Sequence, residues 1–239
     1  MAEFVNVRTV DGPMQCALAR PDGTPRGGIV IIQEAFGLTD HIVSVVDRMA
    51  GDGWLAVAPA LYHRSENATF DYEDLPPALE MMGTLNPTDM QVDVDAAFTL
   101  LEDAGFSDAQ CGIVGFCMGG AISLRASTLR EFGASVTYYG GGVTFGRFGL
   151  PPLIDLAPDL KSPWLGLYGD LDHSIPVEGV EQLRERAAKA QVPTELIRYA
   201  AAGHGFNCDD RPDHYNAEAS KDAWARMQAW FDQHIEVAG

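Results

Sequence analysis

Three short segments carry residue types suited to nucleophilic chemistry. They are Gly115-Phe116-Cys117-Met118-Gly119-Gly120, Gly169-Asp170-Leu171-Asp172-His173-Ser174-Ile175-Pro176 and Gly203-His204-Gly205-Phe206. A thiol attacks an acyl carbon well as thiolate, so it needs a base within reach, and the base needs an acid to hold its orientation. Cysteine, acid and histidine occur here in the chain order nucleophile, Asp172, His204, with Asp170 as a competing acid. The glycines around Cys117 fit a tight strand-to-helix turn, where larger neighbours would collide with adjacent elements. Such a turn lifts the sulfur toward substrate. It also aims the Met118 amide, at a helix N-terminus, toward a developing oxyanion, and the same helix end favours thiolate over thiol.

The elements around these segments alternate between β-like runs and helical spacing. Residues 4–10 and 14–19 flank Asp11-Gly12-Pro13 and read as an opening hairpin. Residues 28–33 and 111–115 are continuous apolar runs of the kind buried on both faces of a parallel sheet. Further strands are predicted at 54–58, 134–139, 164–168 and 194–199, with helices at about 39–51, 89–104, 119–132, 176–190 and 217–235. In the last helix Trp224, Met227, Trp230, Phe231 and Ile235 fall near one face and read as core. Residues 60–87 are less regular and suggest a short helix in a cap or flap. This rhythm predicts an α/β fold with a mostly parallel central sheet and helices on both faces. Cys117, Asp172 and His204 then lie past the C-terminal ends of strands, the edge where sites form in open parallel sheets.

Composition narrows the function. Acidic side chains number 34 against 16 basic ones, a formal charge of −18, which argues against nucleic acid and anionic membrane surfaces as partners. No apolar run approaches the roughly 20 residues of a membrane span. The N-terminal stretch carries charges throughout, unlike a secretory signal, so a cytoplasmic location is expected. Cys16, Cys111, Cys117 and Cys208 show neither CxxC spacing nor a disulfide framework, and Cys16 and Cys111 read as small buried hydrophobes. Nothing in their spacing with the six histidines suggests zinc, and no cofactor is implied. His41, His63 and His173 read as ordinary solvent-facing side chains. With 239 residues, 46% of them hydrophobic, and no linker-like composition, one domain over 1–239 is expected.

Six segments together carry a family likeness: Gln33-Glu34-Ala35-Phe36-Gly37, Ala58-Pro59-Ala60-Leu61-Tyr62, residues 115–120, Tyr138-Tyr139-Gly140, Asp172-His173-Ser174-Ile175-Pro176 and Gly203-His204-Gly205-Phe206. They resemble the dienelactone hydrolases (carboxymethylenebutenolidases) of the α/β-hydrolase superfamily, over nearly the whole chain. The resemblance implies an α/β-hydrolase fold, Cys117 as nucleophile, His204 as base and Asp172 as its orienting acid. It also implies an oxyanion hole from the amides of Ala35 and Met118, and a glutamate, Glu34, that interacts with the resting thiol and is displaced as substrate enters. From the residues themselves, Glu34 ends an apolar strand and needs a partner; the site thiol and a structural ion pair with Arg64 both stand as readings.

Family enzymes acting on anionic dienelactones grip the substrate carboxylate with two arginines. Here no Lys or Arg lies between Arg64 and Arg125, and Cys208 stands at the position after His204 where the second arginine is expected, with Arg211 further on. The clamp is therefore missing, or rebuilt from Arg211 or Arg64. Phe36, Tyr62, Tyr139 and Phe206 are expected to make the pocket apolar and aromatic, suited to a neutral or weakly polar ester or lactone. The function read here is a cysteine-dependent ester or lactone hydrolase, monomeric or a small homo-oligomer. Its rivals are a thiol-dependent acyltransferase and a non-enzymatic small-molecule binding or sensing protein.

Overall fold

In the computed structural model, which describes residues 1–65 and 69–237, the apolar runs become sheet and the amphipathic stretches become its covering. Strands β1 (Glu3–Thr9) and β2 (Gly12–Ala19) form the opening hairpin, closed where Gly12 takes φ 121°. Then come β3 (Gly28–Ile32), α1 (Asp40–Gly51), β4 (Leu55–Pro59), α2 (Leu75–Met82), α3 (Pro87–Asp103), β5 (Cys111–Phe116), α4 (Met118–Leu129) and β6 (Ala134–Tyr138). The chain continues through α5 (Leu153–Leu156), β7 (Trp164–Gly169), α6 (Val177–Ala187), β8 (Thr194–Tyr199) and α7 (Ala217–His234).

The strands make one sheet in the order β1-β2-β4-β3-β5-β6-β7-β8. From β4 to β8 every pairing is parallel, while β2 runs antiparallel to both β1 and β4. Each residue of β3 and β5 is buried, which explains why those strands lack any polar alternation. One face carries α3, α4 and α6, with Val94, Phe98, Leu124 and Leu183 in its core. The other carries α1 and α7, with Val45, Met49, Met227 and Phe231. Trp54 and Phe231 meet edge to face at 5.9 Å, tying the start of β4 to α7. This is the mostly parallel, doubly covered α/β-hydrolase architecture that the sequence predicts.

Differences from the sequence reading are local. Predicted helix ends are long by up to three residues, as at α4, where Arg130 is already extended. The irregular 60–87 stretch contains α2 and the first residue of α3; its residues 66–68 lie outside the described part. His41 and His63 do not face solvent. His41 is buried, its Nδ1 3.0 Å from an Asp209 oxygen, and His63 Nε2 lies 3.1 Å from Asp93, whose side chain is fully buried. A histidine at a helix start or in a turn carries no sequence mark of the carboxylate that the fold brings to it. Among the described residues no helix is long and apolar enough to cross a membrane.

Candidate active site

Strand β5 enters α4 through Cys117, whose backbone takes φ 55° and ψ −115°, outside the comfortable regions for a side-chain-bearing residue. The surrounding glycines permit this. A Cβ on Gly115 would stand 1.9 Å from the Gly119 carbonyl oxygen, and one on Gly119 would stand 2.3 Å from that of Ile32. The elbow is pinned by Cys117 N–H donating to Tyr138 O at 3.1 Å and Gly120 N–H donating to Cys117 O at 3.0 Å. Cys117 is partly exposed, while Cys16, Cys111 and Cys208 are buried. Burial pushes each of those three thiols up to about 12, so they remain protonated near neutrality.

Past β8, His204 brings Nδ1 to 2.6 Å from Asp172 Oδ2. Asp172 sits in the turn after β7, buried, and its other oxygen accepts from the Ser174 amide at 2.8 Å and hydroxyl at 2.7 Å. Burial alone would raise the Asp172 carboxyl, but His204 and the Ser174 donors outweigh it and hold the group below its ordinary range. Burial likewise opposes the His204 imidazolium. The adjacent Cys117 sulfur and the Asp172 hydrogen bond reverse that, raising His204 to about 10. Asp170 is occupied elsewhere, its two oxygens each 2.7 Å from the Arg198 guanidinium. The geometry therefore gives His204 the partner Asp172.

Glu34 follows β3, buried, and lines the same cavity as Cys117, Asp172 and His204. The Tyr72 and Tyr139 hydroxyls each approach one of its oxygens at 3.4 Å. Arg64 is not its partner. That guanidinium binds both oxygens of Asp93, at 2.7 and 2.9 Å, and reaches Asp11, so the expected substrate-binding role gives way to a structural ion pair away from the cavity. Ala35 and Met118 both line the cavity beside Cys117. The Met118 amide opens α4 and is one of the donors that a helix N-terminus leaves free.

The expected aromatic lining divides. Phe36 faces the cavity. Tyr62, Tyr139 and Phe206 are each at most 2% exposed and form the layer behind it. The Tyr62 hydroxyl donates to Ala35 O at 2.8 Å, and the Tyr139 ring stands 5.1 Å from both His204 and Phe206. They are aromatic because a closely packed second layer needs large rigid side chains, several with a hydroxyl to place.

Among the lining or supporting residues that escaped the sequence reading are Tyr72, His214, Arg147 and Phe148. Tyr72 bonds Thr39 at 2.9 Å, packs edge-on against Phe36 at 4.6 Å and reaches Glu34. His214 approaches the His204 carbonyl oxygen through Nδ1 at 3.0 Å. Arg147 and Phe148 line the cavity from the loop after β6. All four lie in connections with no periodicity, so only the glycine-rich 140–149 stretch offered a hint. Arg211 lies at the cavity as one sequence alternative allowed, its guanidinium 5.2 Å from the Phe36 ring and 5.4 Å from that of Tyr72. His173 is exposed but also lines the cavity.

Known proteins share this arrangement of chain. The model of the dienelactone hydrolase family matches residues 14–235. A protein of Yersinia pestis named "Putative carboxymethylenebutenolidase" is 39% identical over 223 residues, covering 91% of this chain and 82% of its own. Its namesake from Escherichia coli O157:H7 is 36% identical over 240 residues, covering 98% and 88%. Among solved structures, one titled "Putative Dienelactone Hydrolase" from Klebsiella pneumoniae superposes with a TM-score of 0.89 at 32% identity, covering 98% of each chain.

Proposed function

The chain belongs to the dienelactone hydrolase family, and from that premise we propose that it is a cysteine-dependent hydrolase of carboxylic esters or lactones. Cys117 is the nucleophile, His204 the base and Asp172 the acid that orients it. The observation that carries this reading is a partly exposed thiol on a strained elbow, beside an imidazole held by a buried carboxylate at 2.6 Å.

His204, whose hold on a proton is raised to about 10 by its neighbours, draws the proton from Cys117 as substrate enters. The thiolate adds to the ester or lactone carbonyl. The amides of Ala35 and Met118 receive the oxyanion, each such donor contributing on the order of 10²-fold in rate. Collapse of the tetrahedral adduct breaks the C–O bond, and His204 delivers its proton to the departing alkoxide or enolate. Water then attacks the thioester with His204 as base, releasing acid and free thiolate. Glu34, lodged between Tyr72 and Tyr139, partners the resting thiol before substrate enters. Ordinary amides, with poorer leaving groups, are not turned over. The pairing of Arg64 with Asp93 weighs against a carboxylate clamp built on it and favours Arg211, the other alternative named from the sequence.

The test is hydrolysis of p-nitrophenyl esters and enol lactones by the wild type and by Cys117→Ala, each with and without iodoacetamide. Activity that needs Cys117 and vanishes on alkylation supports the reading. Undiminished activity in folded Cys117→Ala protein refutes it. Adding an alcohol or amine acceptor and assaying the acyl product separates hydrolysis from acyl transfer.

A further inference from the structure

The cavity at Cys117 encloses about 710 Å³, the scale of pockets that surround drug-sized molecules and far more than a small lactone fills. Part of its lining is the polar machinery already described. Another part is hydrocarbon that the proposed chemistry does not use. Leu75, Leu79 and Met82 of α2 are spaced four and three residues apart, which sets them on one helical face, and all three line the cavity. Leu75 and Leu79 are 44% and 43% exposed, leaving this stripe open to a ligand.

Phe148 joins the stripe in the lining, and its backbone is out of the ordinary. Phe148 has φ 45° and Gly149 φ 73°, while Leu150 N–H donates to Arg147 O at 2.7 Å. Positive φ at both central positions is the signature of a type I′ turn, which favours Asn, Asp or Gly at the place Phe148 holds. An aromatic there strains the backbone with no local gain, and such outliers collect where a ligand is gripped. The turn is seated firmly, since a Cβ on Gly149 would come within 2.9 Å of Pro87 at the start of α3.

We propose that the α2 stripe and Phe148 form an apolar subsite for the hydrocarbon chain of the substrate, so that the protein selects medium-chain over acetyl esters. The proposal rests on ester hydrolysis at Cys117. Each methylene moved from water into such a wall is worth roughly fourfold in kcat/KM.

The experiment measures kcat/KM for p-nitrophenyl acetate, butyrate, hexanoate and octanoate with the wild type, Phe148→Ala and Leu79→Asp. Thermal stabilisation by 2-butanone, 2-hexanone and 2-decanone, which are not hydrolysed, is recorded for the same proteins. The wild type is expected to climb roughly 15-fold per two methylenes, and both variants to flatten that climb, with Leu79→Asp keeping acetate turnover within about threefold. Leu79 is exposed, so its variant reads the subsite even if the turn tolerates no change at Phe148. A chain-length response that is flat in the wild type, or unchanged in Leu79→Asp, overturns the subsite and leaves hydrolysis standing. Ketone stabilisation that grows with length and fails in Leu79→Asp, without Cys117-dependent hydrolysis, supports the subsite and refutes the catalytic reading.

Discussion

The Tyr62 hydroxyl donates to the Ala35 carbonyl at 2.8 Å and also approaches the Met118 sulfur at 3.7 Å. One buried side chain thereby touches both residues whose amides are proposed to receive the acyl oxygen. Tyr62→Phe keeps the ring and removes that tether. The expected result is a kcat roughly tenfold lower with KM within about twofold, because the loss falls on oxyanion geometry and not on the lining. The orphaned Ala35 carbonyl should also cost about 1–3 kcal/mol in urea unfolding. Unchanged kcat would leave Tyr62 as packing alone.

His204 offers a titration with a defined sign. Its folded value of about 10 lies above the ordinary imidazole value of 6.5, so its interactions stabilise the fold fully below pH 6.5. That contribution fades as the pH rises through 10. Nitrogen NMR should find the ring protonated at pH 8 in the wild type and titrating at lower pH in Cys117→Ser, because the neighbouring sulfur leads the causes that raise it. The same titration in both proteins would remove the sulfur from the account.

The two aspartates near β7 make a matched pair. Asp172→Asn cannot fix the histidine as the carboxylate does, and kcat should fall on the order of 10³-fold or more. Asp170→Asn loosens only the part-exposed contact with Arg198, so kcat should hold and stability should drop by under about 1 kcal/mol. Equal losses of kcat in the two variants would contradict the assignment of the acid.

Arg64 is predicted to matter for folding and not for substrate. Arg64→Met leaves the fully buried Asp93 carboxylate with His63 as its remaining named partner. Stability should fall by on the order of 2 kcal/mol while KM across an ester panel stays within about twofold. A selective rise in KM for esters carrying a carboxylate would return Arg64 to the site.

What the sequence discloses here follows from range. Residues 28–33 and 115–120 announce a buried strand and an elbow because runs of apolar residues and closely set glycines are local constraints. The order Cys117, Asp172, His204 survives translation into space because parallel strands deliver their following loops to one edge. Tyr72 and His214 were not legible, since each acts through a partner that only the tertiary fold supplies. The same holds for Arg64, whose attachment to Asp93 is set by how α3 packs. Tyr62 illustrates a finer limit: its type marked an aromatic near the site, but not that it faces Ala35 from behind.

The parallel pairing of β3, β5, β6, β7 and β8 has a consequence in time. Parallel neighbours cannot be joined by tight hairpins, so each must wait for a long crossover to close. Glu34, Cys117, Asp172 and His204 hang from four of these strands' ends, and they converge only after the register of the whole array is set. In the unfolded chain Cys117 is one thiol among four, with no histidine or helix end held beside it. Its rate of alkylation is expected to change when His204 and the start of α4 are set beside it, which makes that rate a clock for the final stage of folding, and the proposed nucleophilic centre exists only once that stage is complete.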